Sequence, residues 1–150
     1  MQEQVNGHAL DFSAFDTAPI SMRGFDVNIL SPGRDRRPTG LVITVLGADS
    51  DAYRERDFEI RKRWRDSMIG TARRERTEKD ARAESIERMV AATLGWKPGK
   101  IMIREDDAEI EFAFPADAAR FYERCPDVVD QLMNAVHERA NFLRGSGTPS

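Results

Sequence analysis

The stretch LVITVLGADSDAYR, from Leu41 to Arg54, contains a strand, a tight turn and the start of a helix. Its first six residues are apolar or β-branched, as expected of a strand with a buried face. Gly47 ends the strand, and Asp49-Ser50-Asp51 supplies side chains of the type that cap helix N-termini. We therefore predict a strand that leads directly into a helix, and the rest of the chain is organised around this junction.

A β-hairpin is predicted before the helix, over residues 24–47. Residues 25–29 alternate apolar and polar side chains, the pattern of a half-buried strand, and residues 31–40 have the proline, glycine and charge of a loop. Residues 1–23 are weakly patterned. They predict either a mobile arm or a short helical turn that docks on the body through Leu10, Phe12 and Phe15.

Four helices are predicted after the hairpin. The first begins at Asp51 and weakens or ends at Gly70-Thr71. Its apolar stripe, which puts Trp64 in the core, consists of Tyr53, Ile60, Trp64 and Met68. The second begins at a capping box, Thr77 and Asp80, and ends at Gly95. The last two begin at Pro115 and Pro126, and the final one has a wide apolar stripe: Val128, Val129, Leu132, Met133, Val136, Ala140 and Leu143.

These elements predict a mainly α (α+β) fold. An N-terminal β-hairpin is followed by about four helices, with a second short hairpin near residues 100–113, where apolar stretches flank an acidic turn. The expected organisation is a mobile or loosely docked N-terminal arm (1–23), a single helical domain with the hairpin (24–144) and a flexible tail (145–150).

Composition disfavours several classes of protein. Of the 150 residues, 40% are hydrophobic and 33% charged, and the net charge of −3 gives no general attraction to nucleic acid or anionic lipid. Cys125 is the single cysteine, so no intrachain disulfide can form. No apolar run approaches the roughly 20 residues of a membrane span, and the N-terminus lacks a signal-peptide pattern. We expect a cytoplasmic protein.

We find no pattern that predicts catalysis, a metal or a cofactor. His8 and His137 have no cysteine or histidine at ligand spacing, and Cys125 lies at a helix junction. The glycines lack the Lys-Ser or Lys-Thr of a phosphate-binding loop. The acidic residues of 105–111 lack the spacing and central glycine of a calcium loop.

A locally unbalanced basic patch lies between the first two helices, at Arg73, Arg74 and Arg76. With Phe58 and Trp64 as stacking side chains, it suits nucleic acid. It equally suits an acidic protein partner. Acidic residues are interleaved with the preceding arginines and fit pairing on a solvated helix, so we regard nucleic acid as the less favoured partner.

Three stretches carry a resemblance. They are residues 41–54, with Leu-Gly, Asp-Ser and Tyr-Arg; Thr93-Leu94-Gly95-Trp96; and a closing segment from Phe114-Pro115 through Gln131 to Arg139-Ala140-Asn141-Phe142. In this order they resemble the tail assembly chaperones of long-tailed phages and prophages. The chain departs from that family at Val128-Val129, where a tryptophan is usual.

The resemblance implies a non-enzymatic function without a cofactor. Such chaperones bind the very long tape measure protein, keep it soluble, promote assembly of the tail tube around it, and are absent from the mature virion. Many also exist as a longer frameshifted product that is thought to contact the major tail protein. The implied location is the cytoplasm of the bacterial host cell.

Two sets of residues follow. From exposed charge and surplus apolar surface, we expect protein binding at Arg73, Arg74, Arg76, Phe142 and Leu143. The positions that carry the resemblance are expected to be structural: Gly47, Asp49, Ser50, Tyr53, Arg54, Trp96, Tyr122, Gln131, Arg139, Asn141 and Phe142. The alternative functions are a structural tail or head-completion component and a small helical nucleic-acid-associated regulator.

Overall fold

The computed structural model describes residues 9–69 and 75–143. A 3-10 turn, Ser13–Phe15, precedes the regular elements. In chain order these are α1 (Ala18–Ser21), β1 (Phe25–Leu30), β2 (Pro38–Val45), α2 (Asp51–Ser67), α3 (Glu78–Ala92), β3 (Thr93–Lys97), β4 (Lys100–Glu105), β5 (Ala108–Ala113), α4 (Ala118–Arg124), α5 (Pro126–His137) and α6 (Ala140–Leu143).

The fold is mixed α+β, so the prediction of a mainly α fold was wrong. Helix accounts for 47% and strand for 24% of the described residues. Two antiparallel sheets form, one with the order β1-β2-β3 and one made of β4 and β5. The two hairpins arise where the sequence placed them, but the second is paired along its whole length, and a third strand joins the first hairpin.

That third strand, β3, replaces the expected end of a helix. Helix α3 stops at Ala92, and Thr93 is extended, with φ −82° and ψ 128°. The Thr93 hydroxyl donates to the Met89 carbonyl (2.5 Å) and therefore accepts from the Tyr122 hydroxyl (2.6 Å). Pairing with β2 places Trp96 opposite Ile43. Because this pairing satisfies the open edge of β2 and buries Trp96, it outweighs one further turn of helix.

The junction between β2 and α2 is the centre of the molecule. Three successive backbone N–H groups donate to three other segments: Leu46 to the Ala92 carbonyl (2.7 Å), Gly47 to Ser21 (2.9 Å) and Ala48 to Val136 (3.1 Å). The junction thus joins the ends of α1, α3 and α5. Ser50 then caps α2 by accepting from the Tyr53 N–H at 3.4 Å, as the sequence predicted.

The core lies between the three-stranded sheet and helices α3, α4 and α5. Trp96 is at its centre and makes edge-on contacts with three other rings, Phe114, Phe121 and Tyr122. The buried apolar residues from strands and helices together include Ile43, Val45, Met89, Phe112, Tyr122, Leu132 and Val136.

The final helix does not continue as the apolar stripe suggested. Helix α5 ends at His137, and Glu138 is extended, with φ −85° and ψ 94°. The chain turns back, and the Asn141 side-chain amide donates to the Ala135 carbonyl at 3.1 Å. Phe142 then packs against Phe25 with their ring centroids 5.7 Å apart. The turn therefore closes the domain over its first strand.

The N-terminal arm forms a turn without burying its large apolar side chains. Leu10, Phe12 and Phe15 are 79%, 58% and 75% exposed. The arm is attached further along, where Ser21 is buried against Gly47. The expected helix break at Gly70-Thr71, residues 1–8 and the expected tail at 145–150 lie outside the described residues. Within the described part, no helix is long and apolar enough to cross a membrane.

Candidate functional site

An open groove of about 610 Å³ lies between α2 and α3. Its apolar lining comes from one side of α2: Phe58, Ile60, Trp64 and Met68. Phe58 and Met68 are each 53% exposed, and Ile69, just beyond α2, is 79% exposed. This concentration of exposed apolar surface is typical of a site that binds another molecule.

The groove exists because the apolar stripe of α2 is only partly covered. Tyr53 and Ile60 are 6% and 1% exposed, whereas Trp64 is only half-buried and lines the groove. The prediction that Trp64 lies in the core is therefore corrected. Helical spacing correctly placed these side chains on one stripe, but it does not show how far along the helix its neighbours reach.

A buried carboxylate holds one wall of the groove. Glu84 on α3 is 6% exposed and accepts hydrogen bonds from the indole N–H of Trp64 and from the guanidinium of Arg76. The ion pair compensates the charge of a carboxylate that would be costly to bury alone. Arg76, predicted as part of an unbalanced patch, is thus paired within the chain. Arg73 and Arg74 lie outside the described residues.

The rim of the groove is basic. The chain as a whole has a net charge of −3, but four arginines and only one glutamate, Glu84, line the groove. The arginines are Arg61, Arg65, Arg76 and Arg88. The Arg65 guanidinium lies 5.8 Å from the centre of the Phe58 ring, in cation–π contact. The groove therefore combines an apolar floor with a positive edge.

Asp57 holds two of these arginines in place. It accepts from the Nε of Arg88 at 2.9 Å and from the guanidinium of Arg61. Burial alone would raise the pKa of Asp57, but the hydrogen bonds from Arg88 and Arg61 outweigh it and lower that pKa below its usual value. Asp57 thus remains a carboxylate and fixes the rim at neutral pH.

The residues considered for chemistry have structural contacts. The Nδ1–H of His137 donates to the Met133 carbonyl (2.9 Å), which leaves Nε2 to accept from the Tyr53 hydroxyl (3.3 Å). Burial raises the pKa of the Cys125 thiol, which disfavours the reactive thiolate. Within residues 9–69 and 75–143, no three His, Cys, Asp or Glu side chains cluster as a metal site would require.

Asp49 and Arg139, two positions that carry the resemblance, form an ion pair between distant parts of the sequence. Arg139 donates from Nε to Oδ2 of Asp49 at 2.7 Å and from a terminal nitrogen to Oδ1 at 3.0 Å. The Thr17 hydroxyl donates to the same carboxylate. Hydrogen bonds from Arg139, and then from Thr17, lower the pKa of Asp49 to about 2. These contacts join the arm, the start of α2 and the turn between α5 and α6.

Gln131 and Trp96 make backbone contacts. The Gln131 amide accepts from the Leu30 N–H and donates to the Leu30 carbonyl, both at 2.9 Å, and so pairs with β1 like an added strand residue. The Trp96 indole N–H donates to the Gly99 carbonyl at 3.2 Å. Arg54 is exposed and lines a second depression beside Asp49 and Arg139.

The structure changes the set of candidate binding residues. Phe142 is 2% exposed, so it belongs to the core and offers no surface to a partner. The side chain of Leu143 lies outside what the structure describes. Arg61 and Arg65 were missed as groove residues, and Phe58 was considered only as a stacking side chain for nucleic acid. The recurrence of these three residues with Met68 at helical spacing is nevertheless a signal that the sequence carries.

Comparison with protein-family models, with curated proteins and with solved structures finds no match for this chain.

Proposed function

We propose that this chain is a phage tail assembly chaperone that binds the tape measure protein, keeps it soluble and promotes assembly of the tail tube. The observation that supports this most is the groove between α2 and α3, with exposed apolar side chains at Phe58 and Met68 and a basic rim. A long helical rod exposes apolar seams that self-associate, and a groove of this kind covers one stretch of such a seam.

The paired arginines favour a protein client over nucleic acid. Arg61, Arg76 and Arg88 already bond to carboxylates within the chain. Nucleic-acid sites depend on cations that neutralise phosphates, and these three are largely neutralised. A client helix that has apolar residues on one side and scattered acidic residues beside them needs less positive charge in its binding site than nucleic acid does. In the proposed role, a longer frameshifted form would bring the major tail protein to the same complex.

Co-expression with the tape measure protein of the same genome tests the proposal. We expect the tape measure protein to be insoluble alone and soluble in a complex with the wild-type chain. Met68→Glu should reduce the soluble yield, because it places a charge in the apolar floor. Met102→Glu is the matched control, since Met102 is a similarly exposed methionine (49%) on β4, outside the groove.

Purified virions separate the chaperone from a structural component. Mass spectrometry of phage particles should not detect this chain if it acts only during assembly. A stoichiometric amount in the particles, together with no effect on tape measure solubility, would support a structural tail or head-completion role instead.

A further inference from the structure

The arm exposes a second apolar surface with the opposite charge. Leu10, Phe12 and Phe15 are largely exposed and are flanked by Asp11 and Asp16. The segment Leu10–Asp16 is held in shape locally, because Asp11 accepts from the Ser13 N–H (3.0 Å) and hydroxyl (2.5 Å). We call this stretch the arm segment. Its apolar and acidic character complements the apolar floor and basic rim of the groove.

The arm segment and the groove lie along the same side of α2. Arg54 lines the depression beside Phe15, and the groove residues follow it at spacings of four, three, four and three: Phe58, Arg61, Arg65 and Met68. Such spacings keep side chains on one helical face. From Arg54 to Arg65 the helix rises roughly 16 Å. The arm segment is therefore near one end of this face and the groove near the other.

We propose that two copies of this chain form a dimer in which the arm segment of each copy fills the groove of the other. A two-fold axis perpendicular to α2 sets the two helices antiparallel and places each arm segment opposite the partner's groove. Both surfaces are already accessible as they stand, so no rearrangement is needed. The contact is isologous and closes at two copies.

The size of this contact suits a specific dimer. Large aromatic side chains bury on the order of 150–250 Å² each. Two arm segments and two grooves together supply a total on the order of 1,000–2,000 Å², the range of standard specific interfaces. The four lining arginines outnumber Glu84 and Asp57, so the rim keeps a net positive charge. The two acidic residues of each arm segment would face this edge near Arg61 and Arg65, which adds electrostatic complementarity.

The dimer has a consequence for client binding. If the groove holds the partner's arm segment, a client must displace it, and the apolar surfaces of both copies stay covered until a client is present. The dimer itself does not depend on the identity of the client. Failure of the dimer would therefore leave the proposed chaperone function standing, and the reverse also holds.

Sedimentation velocity of the full chain tests the dimer. The wild type is expected to dimerise at micromolar concentration. Asp11→Lys with Asp16→Lys, and separately Arg61→Glu with Arg65→Glu, should each raise the dimer dissociation constant by at least about tenfold. The four changes combined in one chain should restore dimerisation, because attraction returns with the charges exchanged. Thermal melts check that each variant remains folded.

Matched controls separate specific contacts from net charge. Asp35→Lys with Asp107→Lys changes the net charge by the same amount as the double change in the arm segment, at two exposed positions outside it, and it should leave the dissociation constant unchanged. A wild type that is monomeric at all accessible concentrations, or a combined variant that fails to recover, would overturn the proposal.

Cross-linking decides whether the arm segment fills the partner's groove or its own. In a Cys125→Ser background, one chain carries Ala14→Cys and another carries Met68→Cys. Oxidation of the mixture should give a covalent heterodimer. A chain that carries both cysteines and closes only on itself, as a monomer, would contradict the dimer and indicate intramolecular docking.

Discussion

Gly47 is the residue on which the packing of α1 and of the closing turn at Phe142 depends. A Cβ atom at this position would lie 2.5 Å from the Ser21 hydroxyl oxygen and 2.8 Å from the Ser21 Cβ. It would also lie 3.2 Å from the ring of Phe142. The absence of a side chain therefore lets α1 and the closing turn meet at the β2–α2 junction.

Gly47→Ala is expected to destabilise the fold by about 1–3 kcal/mol, because α1 or the Phe142 ring must move to make room. Urea unfolding measures the change. Trypsin should also cut faster after the exposed Arg23 as the arm loosens. Gly95→Ala is the control. Beyond Gly95 and its two chain neighbours, no atom lies within 4 Å of the added Cβ, so the effect should stay below about 1 kcal/mol. Equal effects at both positions would refute the steric explanation.

Asp49 makes stability depend on pH in the acid range. Its folded-state pKa is about 2, below the ordinary value of 3.8, so the stabilisation is fully present above pH 4 and is lost as pH falls through 2. Asp49→Asn should cost on the order of 1–2 kcal/mol at pH 6, a discounted figure because Arg139 is mostly exposed. This difference from the wild type should shrink to a small part of its pH 6 value by pH 2, where Asp49 is about half protonated.

Unfolding of both proteins between pH 2 and pH 7 measures this difference, and other titrating groups cancel in the comparison. Asp35→Asn, in the exposed loop before β2, serves as the control and should track the wild type. A constant difference between Asp49→Asn and the wild type down to pH 2 would show that the ion pair is not the source of the stabilisation.

The helix caps could be predicted from the sequence, whereas the ion pair between Asp49 and Arg139 could not. The Ser50 cap and the Thr77–Asp80 capping box connect residues three apart. The sequence alone predicted the capping box and a cap within Asp49-Ser50-Asp51. The contact between Asp49 and Arg139 spans 90 residues. A single sequence shows both charges but not their pairing, because the pairing depends on where the last turn folds back.

At the scale of elements, Gln131 decides how α5 meets the first sheet. Its amide completes the hydrogen bonding of Leu30 at the end of β1 and also donates to Asp127 at 2.9 Å. Asp127 in turn accepts two hydrogen bonds from Arg36 in the β1–β2 loop. Helix α5 is therefore joined to both the strand and its loop by polar contacts.

Gln131→Met keeps the approximate side-chain volume and removes these hydrogen bonds. We expect a loss of about 1–3 kcal/mol in the free energy of unfolding, because the Leu30 N–H and carbonyl lose their partner. Faster hydrogen exchange at the Leu30 amide is the specific readout. Asn134→Met, on an exposed position of the same helix, should leave both quantities near wild type. Unchanged exchange at Leu30 in Gln131→Met would contradict this role.

Strand β3 lies where the sequence predicted that the second helix would continue to Gly95. Residues 86–94 fit the helical period, and Gly95 fits a helix end. The structure ends the helix at Ala92 because β2 offers an unpaired edge and the core offers a place for Trp96. Neither the edge nor the space exists until the chain has folded, so local periodicity could not indicate the switch.

At the scale of the whole molecule, the groove arises from incomplete coverage of α2. The sequence predicted the stripe and the surrounding charges, and it placed both hairpins. It did not predict that the far end of the stripe, at Trp64 and Met68, stays accessible, since that depends on where α3 begins and on how Glu84 holds Trp64. The same surface supports both proposals, the client site and the dimer.

Photo-cross-linking from the groove shows whether the tape measure protein is held between α2 and α3. A p-benzoylphenylalanine residue replaces either Met68 or Met102 in the chain, which is then co-expressed with the tape measure protein and irradiated. A cross-linked product is expected from position 68 and none from position 102. A complex that still co-purifies but cross-links from position 102 alone, or from neither position, would show that the client is not held in the groove.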